Sequence, residues 1–394
     1  MYSMAFMHRA VIRTICGLLA ERSVVLVEGP PRCGRSTIAR QVAAGSASGT
    51  RIVDARGREG RAAVADPGSL SAARPVILDN AGADEAAAIL SWASAPGRRQ
   101  EADRPGDAPD APAATDSEDR ASAMDSTDGA GKALENSGRR PRFVLVGGPF
   151  PGVPATCGYA AAVTAGPLSL FEVGRASVRS LWLRGGYPEA YGASSDDAAL
   201  DWLERYAADL AHGALADWGM PREPRLITAL LESVAAGNGH GFNENAAARA
   251  LGVSRPTVSR YLSILSRAGI LFSLPALPPG IARAPAERGA GVTGGVARAV
   301  RAPALYVRDS GLLHALLGVR SADELAMKPR MAAASWAGFV AAQAREAASP
   351  GTELYRYASA DGAALDLVLV RDGVPVISAA ARRLRPTSDR KSVV

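Results

Sequence analysis

Lysine is almost missing from this chain of 394 residues: it occurs only at positions 132, 328 and 391. Arginine supplies nearly all of the 45 basic side chains. Alanine is abundant as well, and the pair of biases reads as high-GC coding. An arginine standing where a lysine is usual is therefore an ordinary exchange at any position. The formal net charge of +6 is modest for the length, so the basic balance does not by itself argue for a nucleic-acid partner. Cysteine is scarce too. Cys16, Cys33 and Cys157 are odd in number and lack metal-ligand spacing, which excludes a disulfide framework and suits a reducing cytoplasm. Long apolar runs are also absent. Arg13, Glu21 and Glu28 interrupt the longest stretches well short of the ~20 residues that span a bilayer. The opening "MYSMAFMHRAVIRT" lacks the charged-then-apolar order and small-residue cleavage site of a signal peptide. The expectation is a cytoplasmic protein with no membrane partner.

What is present is a globular composition, 47% hydrophobic against 21% charged, in a chain too long for one ordinary core. Residues 10–20 carry a helical apolar pattern. "SVVLVEG" (23–29), "RIVDA" (51–55), "PVILDN" (75–80) and "RFVLVGG" (142–148) read as short strands buried on both faces, and "AAVTAGPLS" (161–169) holds one more. Strands alternating with helical stretches predict an α/β fold with a doubly wound parallel sheet. Residues 97–141 are Pro, Gly, Ala, Ser and Asp with almost no large apolar side chain; they are expected to be a disordered insertion. After 175 the pattern turns helical, and beyond 300 a last α/β segment follows. The final six residues, Asp389 to Val394, resemble the translation of a sequencing adapter, so the natural chain is expected to continue differently beyond 388.

"EGPPRCGRST" follows the first strand and opens a helix expected from about Ser36 to Ala44. Its outline is that of a phosphate-binding loop: Gly, four residues, Gly, a cation and a hydroxyl. Gly29, Pro30, Arg32, Cys33, Gly34, Arg35, Ser36 and Thr37 are the candidate nucleotide contacts. In such a loop, backbone N–H groups and the helix N-terminus hold phosphates. Arg35 replaces the usual lysine; it keeps the charge but is longer, planar and forked. Ser36 and Asp79, the latter at the end of "PVILDN", are the candidate Mg²⁺ ligands. Asn80 follows Asp79 and cannot act as a base near neutral pH. Asp84 and Glu85 read as favourable charges in a first helical turn. The alternative is a glycine-rich turn with no ligand.

"NENAAARALGVSRPTVSRYLSILSRAGIL" reads as a helix-turn-helix. A helix over 244–251 ends at Gly252, and Ser254 caps a second helix with Pro256 in its first turn. Val258, Leu262 and Leu265 are expected to face the core, leaving Arg255, Thr257, Ser259 and Arg260 outward as candidate DNA contacts. "GILFSLPAL" is expected to supply the wing strands. The module either enters a DNA groove or only packs between its neighbours.

Taken with "VILDN", "FVLVGG", "GPLSLFE", "LRGGYPEAY", "ALYVRDSGLLHALLG" and "YRYASADGAALDLVL", these motifs stand in one order along residues 8 to 388. In that order the chain resembles prokaryotic AAA-type P-loop ATPases that carry a C-terminal, restriction-endonuclease-like domain of unknown function. The resemblance implies an ATPase domain over 1–175, a helical connector over 176–222, a winged helix-turn-helix over 223–278 and a nuclease-like domain over 300–388. It implies ATP and Mg²⁺ as cofactors, with DNA or a protein as further partners. It also shows where this chain departs. Gly148 stands where the family has a serine that senses the γ-phosphate, and Tyr159 where it has an arginine. In the last domain Asp366 remains, while Ala337, Ala364, Ser378 and Ala380 occupy positions the family gives to glutamate, glutamate, glutamate and lysine; one carboxylate does not hold a catalytic metal. Three readings follow: a nucleotide-binding scaffold with little or no hydrolysis, a slow ATPase coupled to DNA, or a decayed paralogue.

Overall fold

The computed structural model describes residues 9–45, 50–69, 75–94, 142–150, 158–278, 281, 302–349, 351–358 and 364–379, without the side chains of 358, 364 and 377–379. The expected insertion at 97–141 and the expected terminal artefact lie outside these residues, as does Ala380. The chain divides into two compact units, one reaching Ala165 and one starting at Gly166.

The first unit is a parallel sheet with helices. Its elements are α1 (Val11–Glu21), β1 (Val24–Glu28), α2 (Arg35–Gly45), β2 (Arg51–Asp54), α3 (Arg58–Ala65), β3 (Val76–Ala81), α4 (Ala83–Ser94), β4 (Phe143–Gly147) and β5 (Ala160–Thr164). All five strands run parallel in the order β2-β3-β4-β1-β5. Central position explains composition. β1 as far as Val27, and β4 throughout, are apolar because alternate residues meet cover on opposite faces. Val24, Leu26, Phe143 and Leu145 join one core with Ala86 and Ile89 of α4. Val25, Val27, Val144 and Val146 are equally buried on the alternate positions. β2 corrects the sequence reading: it is an edge strand, with Arg51, Ile52 and Asp54 exposed and only Val53 buried. Asp84 and Glu85 do begin α4, and the Glu85 carboxylate accepts the Gly82 amide at 2.8 Å.

The second unit begins with short helices α5 (Leu170–Val173), α6 (Val178–Arg184) and α7 (Pro188–Tyr191), then α8 (Asp196–Asp209), which runs into a π-turn at Leu210–Ala214. Tyr187, Trp202 and Tyr206 cluster here, with ring centroids 4.5–5.9 Å apart. Helices α9 (Pro224–Ala236), α10 (Glu244–Leu251) and α11 (Arg255–Arg267) follow, then β6 (Leu271–Leu274), β7 (Ala304–Val307), α12 (Ser310–Leu316), α13 (Ala322–Ala326) and α14 (Pro329–Ala347). The chain closes with a three-stranded antiparallel sheet, order β10-β9-β8, built from β8 (Thr352–Ala358), β9 (Ala364–Arg371) and β10 (Val374–Ala379).

Two expected boundaries shift for a physical reason. "GILFSLPAL" gives one strand, β6, and its antiparallel partner β7 comes from residues assigned by sequence to the last domain. Phe272 and Leu274 of β6 then share a core with Tyr306, with Ala341 and Ala342 of α14, and with Leu367 of β9. Regions read as separate at 278 and 300 therefore bury one another, and both belong to the unit that opens at Gly166.

Candidate functional site

The carboxyl ends of β1, β3 and β4 converge on one edge of the parallel sheet. The strand that follows β1 in the chain, β2, lies on one side of it; the strand that follows β4, β5, lies on the other. Adjacent strands whose connections leave in opposite directions open a crevice at their carboxyl ends, the usual ligand position in such sheets. The turn Gly29–Gly34 and the start of α2 lie at this crevice.

The turn is shaped by what its residues must avoid and hold. A Cβ on Gly29 would lie 2.2 Å from the Ala165 carbonyl oxygen, so only glycine fits. Gly34 has φ 89°, the left-handed region that glycine enters without strain, and Arg32 adopts φ 65°. Pro30 and Cys33 are buried. The helical bonds of α2 begin with the Thr37 and Ile38 amides donating to the Gly34 carbonyl at 3.0 Å, so the amides of Gly34, Arg35 and Ser36 precede them. Ser36 is exposed at this helix start, and the Thr37 hydroxyl accepts from Arg40 at 3.3 Å.

Arg35 does not extend freely over the turn. Its Nη1 donates to the carbonyl of Gly147, the last residue of β4. Gly147 in turn presses on β3: a Cβ there would sit 2.0 Å from the Ala81 oxygen. The β3–β4 register slips between Asp79 and Ala81, leaving Asn80 as the extra residue at φ 59°. Asp79 is half-buried, and its Oδ1 accepts the Asn80 amide at 3.0 Å. The Asn80 side chain turns toward β2, its Nδ2 donating to Asp54 Oδ1 at 3.3 Å. Gly148 directly follows Gly147 at this edge, with φ 97°.

Of the sequence candidates, Gly29, Gly34, Arg35, Ser36, Thr37, Asp79, Asn80 and Gly148 thus share one end of the sheet. Tyr159 does not. It precedes β5, its carbonyl accepts the Val24 amide at the start of β1, and its ring packs on the core. A five-residue strand, about 16 Å, separates it from the turn. Besides Gly147, three participants were not read from sequence. Arg9 is 3% exposed and donates from Nη1 to the Cys33 carbonyl at 2.7 Å. Asp54 holds Asn80. Glu28 accepts the Phe150 amide at 3.4 Å. Only Gly147 carried a signal, since a glycine ending a strand marks close backbone approach.

The second candidate surface is α10–α11. Gly252 ends α10 at φ 69°, and the Ser254 hydroxyl accepts the Thr257 amide at 3.3 Å. Two corrections apply. The core face of α11 is Val258, Tyr261, Ile264 and Leu265, with Leu262 only half-buried. Thr257 faces the cap: its hydroxyl lies 2.8 Å from that of Ser254. Arg255, Ser259 and Arg260 are exposed; Arg255 pairs with Glu244 at 3.1 Å, and the Arg260 guanidinium lies 5.2 Å from the Tyr261 ring centre.

In the last sheet Asp366 is half-buried on β9, and Ala337 is buried in α14. Among the described residues no group of three or more His, Cys, Asp and Glu side chains could hold a metal ion. Elsewhere in this unit Arg308, Asp309, Gln343 and Glu346 line a cavity of about 20 Å³, room for a single water.

Residues 175–323 match the family model described as a domain of unknown function (DUF8612). Over 239 residues the chain is 29% identical to Mb2031c, an uncharacterized protein of Mycobacterium bovis, and to Rv2008c, an uncharacterized protein of Mycobacterium tuberculosis. The alignment covers 59% of this chain and 51% of each relative, so the chain spans about half the length of the curated relatives it matches. The family match crosses the expected boundaries at 222 and 278, the second of which the shared core also crosses, and lies wholly beyond the parallel-sheet unit. Among the described residues no helix is long and apolar enough to cross a membrane.

Proposed function

We propose that the chain is a P-loop protein of the AAA type that binds a nucleoside polyphosphate, ATP by its resemblance, together with Mg²⁺. It cleaves the nucleotide slowly or not at all and acts as a nucleotide-dependent scaffold. One observation carries this reading: the glycine-rich turn joins the interior strand β1 directly to α2 at the crevice between β1 and β4. Amides at the start of α2 and the positive end of its dipole favour an anion there. Ser36 and Asp79 offer one hydroxyl and one carboxylate. Such hard oxygen donors suit Mg²⁺, which keeps several waters and takes other ligands from phosphates.

The case against turnover rests on Asn80 and Gly148. An amide cannot take a proton from water, and this one is directed to Asp54. A missing general base costs about 10²–10⁴ in rate. Gly148 offers no hydroxyl to a terminal phosphate. Titration of the purified chain with Mg-ATP and Mg-ADP should show saturable binding. Phosphate release should stay below about one per minute, against the ordinary enzyme range of about 1–10³ s⁻¹. Faster release that disappears in Asp79→Ala rejects the scaffold; absence of nucleotide binding rejects the site.

Exposed Ser259 and Arg260 on α11 favour a second reading, in which a winged helix places this helix against DNA. Arg260→Ala should then weaken binding to duplex DNA and lower its salt slope by about one, whereas Thr257→Ala, with its hydroxyl committed to the cap, should leave that slope alone.

A further inference from the structure

We propose that Arg35 makes this site selective for a nucleoside diphosphate over the corresponding triphosphate, an inference that rests on the nucleotide-binding reading above. In a phosphate-binding loop the backbone amides cradle the inner phosphates, and the side chain at this position reaches to the outermost. Here that side chain already has a protein partner. It crosses from the first residue of α2 to the end of β4 and donates to the Gly147 carbonyl. The acceptor is held in place, because Gly147 is paired with Glu28 of β1 on one side and with Ala81 of β3 on the other. Arg35 is half-buried, and its contact with Gly147 is partly shielded from water.

A diphosphate leaves this latch closed. Its terminal phosphate takes the amides of Gly34, Arg35 and Ser36 and can use guanidinium donors that Gly147 does not occupy, since arginine carries five. A third phosphate enters the space between the turn and β4 and has to pull Arg35 off the carbonyl. Breaking a charge-assisted hydrogen bond to the carbonyl of a buried residue lowers affinity by roughly 10- to 100-fold. Neither neighbour offsets the loss. Gly148 has no side chain, and the Asn80 amide donates to Asp54. Lysine at the same position has no fork and serves as a point charge, free to follow an added phosphate.

The test is calorimetric titration of the full chain with ADP and with ATP, each with and without Mg²⁺, on the wild type, Arg35→Lys and Arg35→Ala. Thermal melting without nucleotide verifies that each variant is folded. The wild type should bind ADP at least about tenfold more tightly than ATP, and the ratio should fall to within about threefold in both variants. ATP binding the wild type as tightly as ADP, or a ratio that persists in both variants, overturns this inference and leaves the nucleotide site standing. No binding of either nucleotide by any of the three proteins overturns both.

Discussion

Asp309 accepts a hydrogen bond at 2.7 Å from the backbone amide of Gly186, 123 residues away in sequence. The same carboxylate caps α12, taking the Leu312 amide at 2.8 Å. Gly185 is required beside it, because a Cβ there would lie 2.1 Å from Asp309 Oδ1. The stretches "LRGGYPEAY" and "ALYVRDSGLLHALLG", separate motifs in the sequence, are therefore two halves of one buried clasp. His314 lies on the same helix. Its Nδ1 meets the Leu183 carbonyl at 3.2 Å and must donate, so Nε2 accepts from the Ser335 hydroxyl at 2.7 Å. The Ser335 oxygen in turn accepts the Trp182 indole N–H at 3.0 Å.

This clasp sets two opposed pH dependences. Burial pushes the Asp309 carboxyl up to about 6, outweighing the amides of Gly186, Leu312 and Gly311 and the charge of Arg308. Its folded form holds a proton longer than its unfolded form, so its contribution to stability falls as pH rises from about 4 to about 6. Burial lowers His314 to about 4, against the hydrogen bond to Leu183. Its contribution is lost as pH falls from about 6.5 toward 4, because the unfolded chain takes up the proton first. Each effect is on the order of 3 kcal/mol and they largely cancel. Denaturant melts across this window should find the wild type nearly level. Asp309→Asn should become less stable toward pH 4, and His314→Gln less stable toward pH 6.5. Variant curves parallel to the wild type would refute the opposition.

Placing an acidic side chain beside Asp79 should not create an ATPase. Asn80 occupies the left-handed region at φ 59°, which asparagine tolerates better than glutamate does. It also donates to Asp54, so Asn80→Glu would remove the donor and set two carboxylates together. The expected outcome is a loss of about 1–2 kcal/mol of stability with no gain in phosphate release. A rise in release that tracks the new carboxylate would show that the bulge rearranges to serve it.

Gly147 makes a stronger demand. Gly147→Ala places a Cβ 2.0 Å from the Ala81 oxygen, inside a packed parallel ladder. Parting β3 from β4 should cost about 2–4 kcal/mol, read as a lowered melting temperature. An unchanged melting temperature would mean that the two strands yield easily there.

The order of elements in the parallel sheet was legible because it is local. Short apolar strands, a glycine-rich turn and a helix start are written in neighbouring residues, and the observed limits of α1, α2, β1, β3 and β4 fall within one or two positions of the expected ones. β2 was misjudged because Ile52 and Val53 look the same at an edge as at a centre; only the strand order tells them apart. The site was legible where it is a motif and opaque where it is a contact between strands. Gly29, Gly34 and Ser36 announce themselves by spacing. The reach of Arg35 to Gly147 joins residues 112 apart, and the turn of Asn80 toward Asp54 depends on a bulge that no periodicity reveals. In the second unit the boundaries at 278 and 300 failed for the same reason. β6 finds its partner in β7, across the gap between the two domains that the resemblance implies.

Arg9 tests whether the turn is held from below. Its buried Nη1 donates to the Cys33 carbonyl at 2.7 Å, and its backbone amide donates to Gln41 Oε1 at 3.2 Å, tying the segment before α1 to both the turn and α2. Arg9→Met keeps much of the apolar stem and removes the charge and the donors. Losing a buried charge-assisted hydrogen bond should cost about 1.5–3 kcal/mol. A purely structural role would spread that cost over the whole unit. A positioning role concentrates it in the turn, so amide exchange over residues 32–36 should speed up by at least about tenfold while exchange in β3 and β4 changes far less. Equal acceleration across turn and strands would assign Arg9 to general packing; unchanged exchange in the turn would show that Gly29 and Gly34 hold its shape without help.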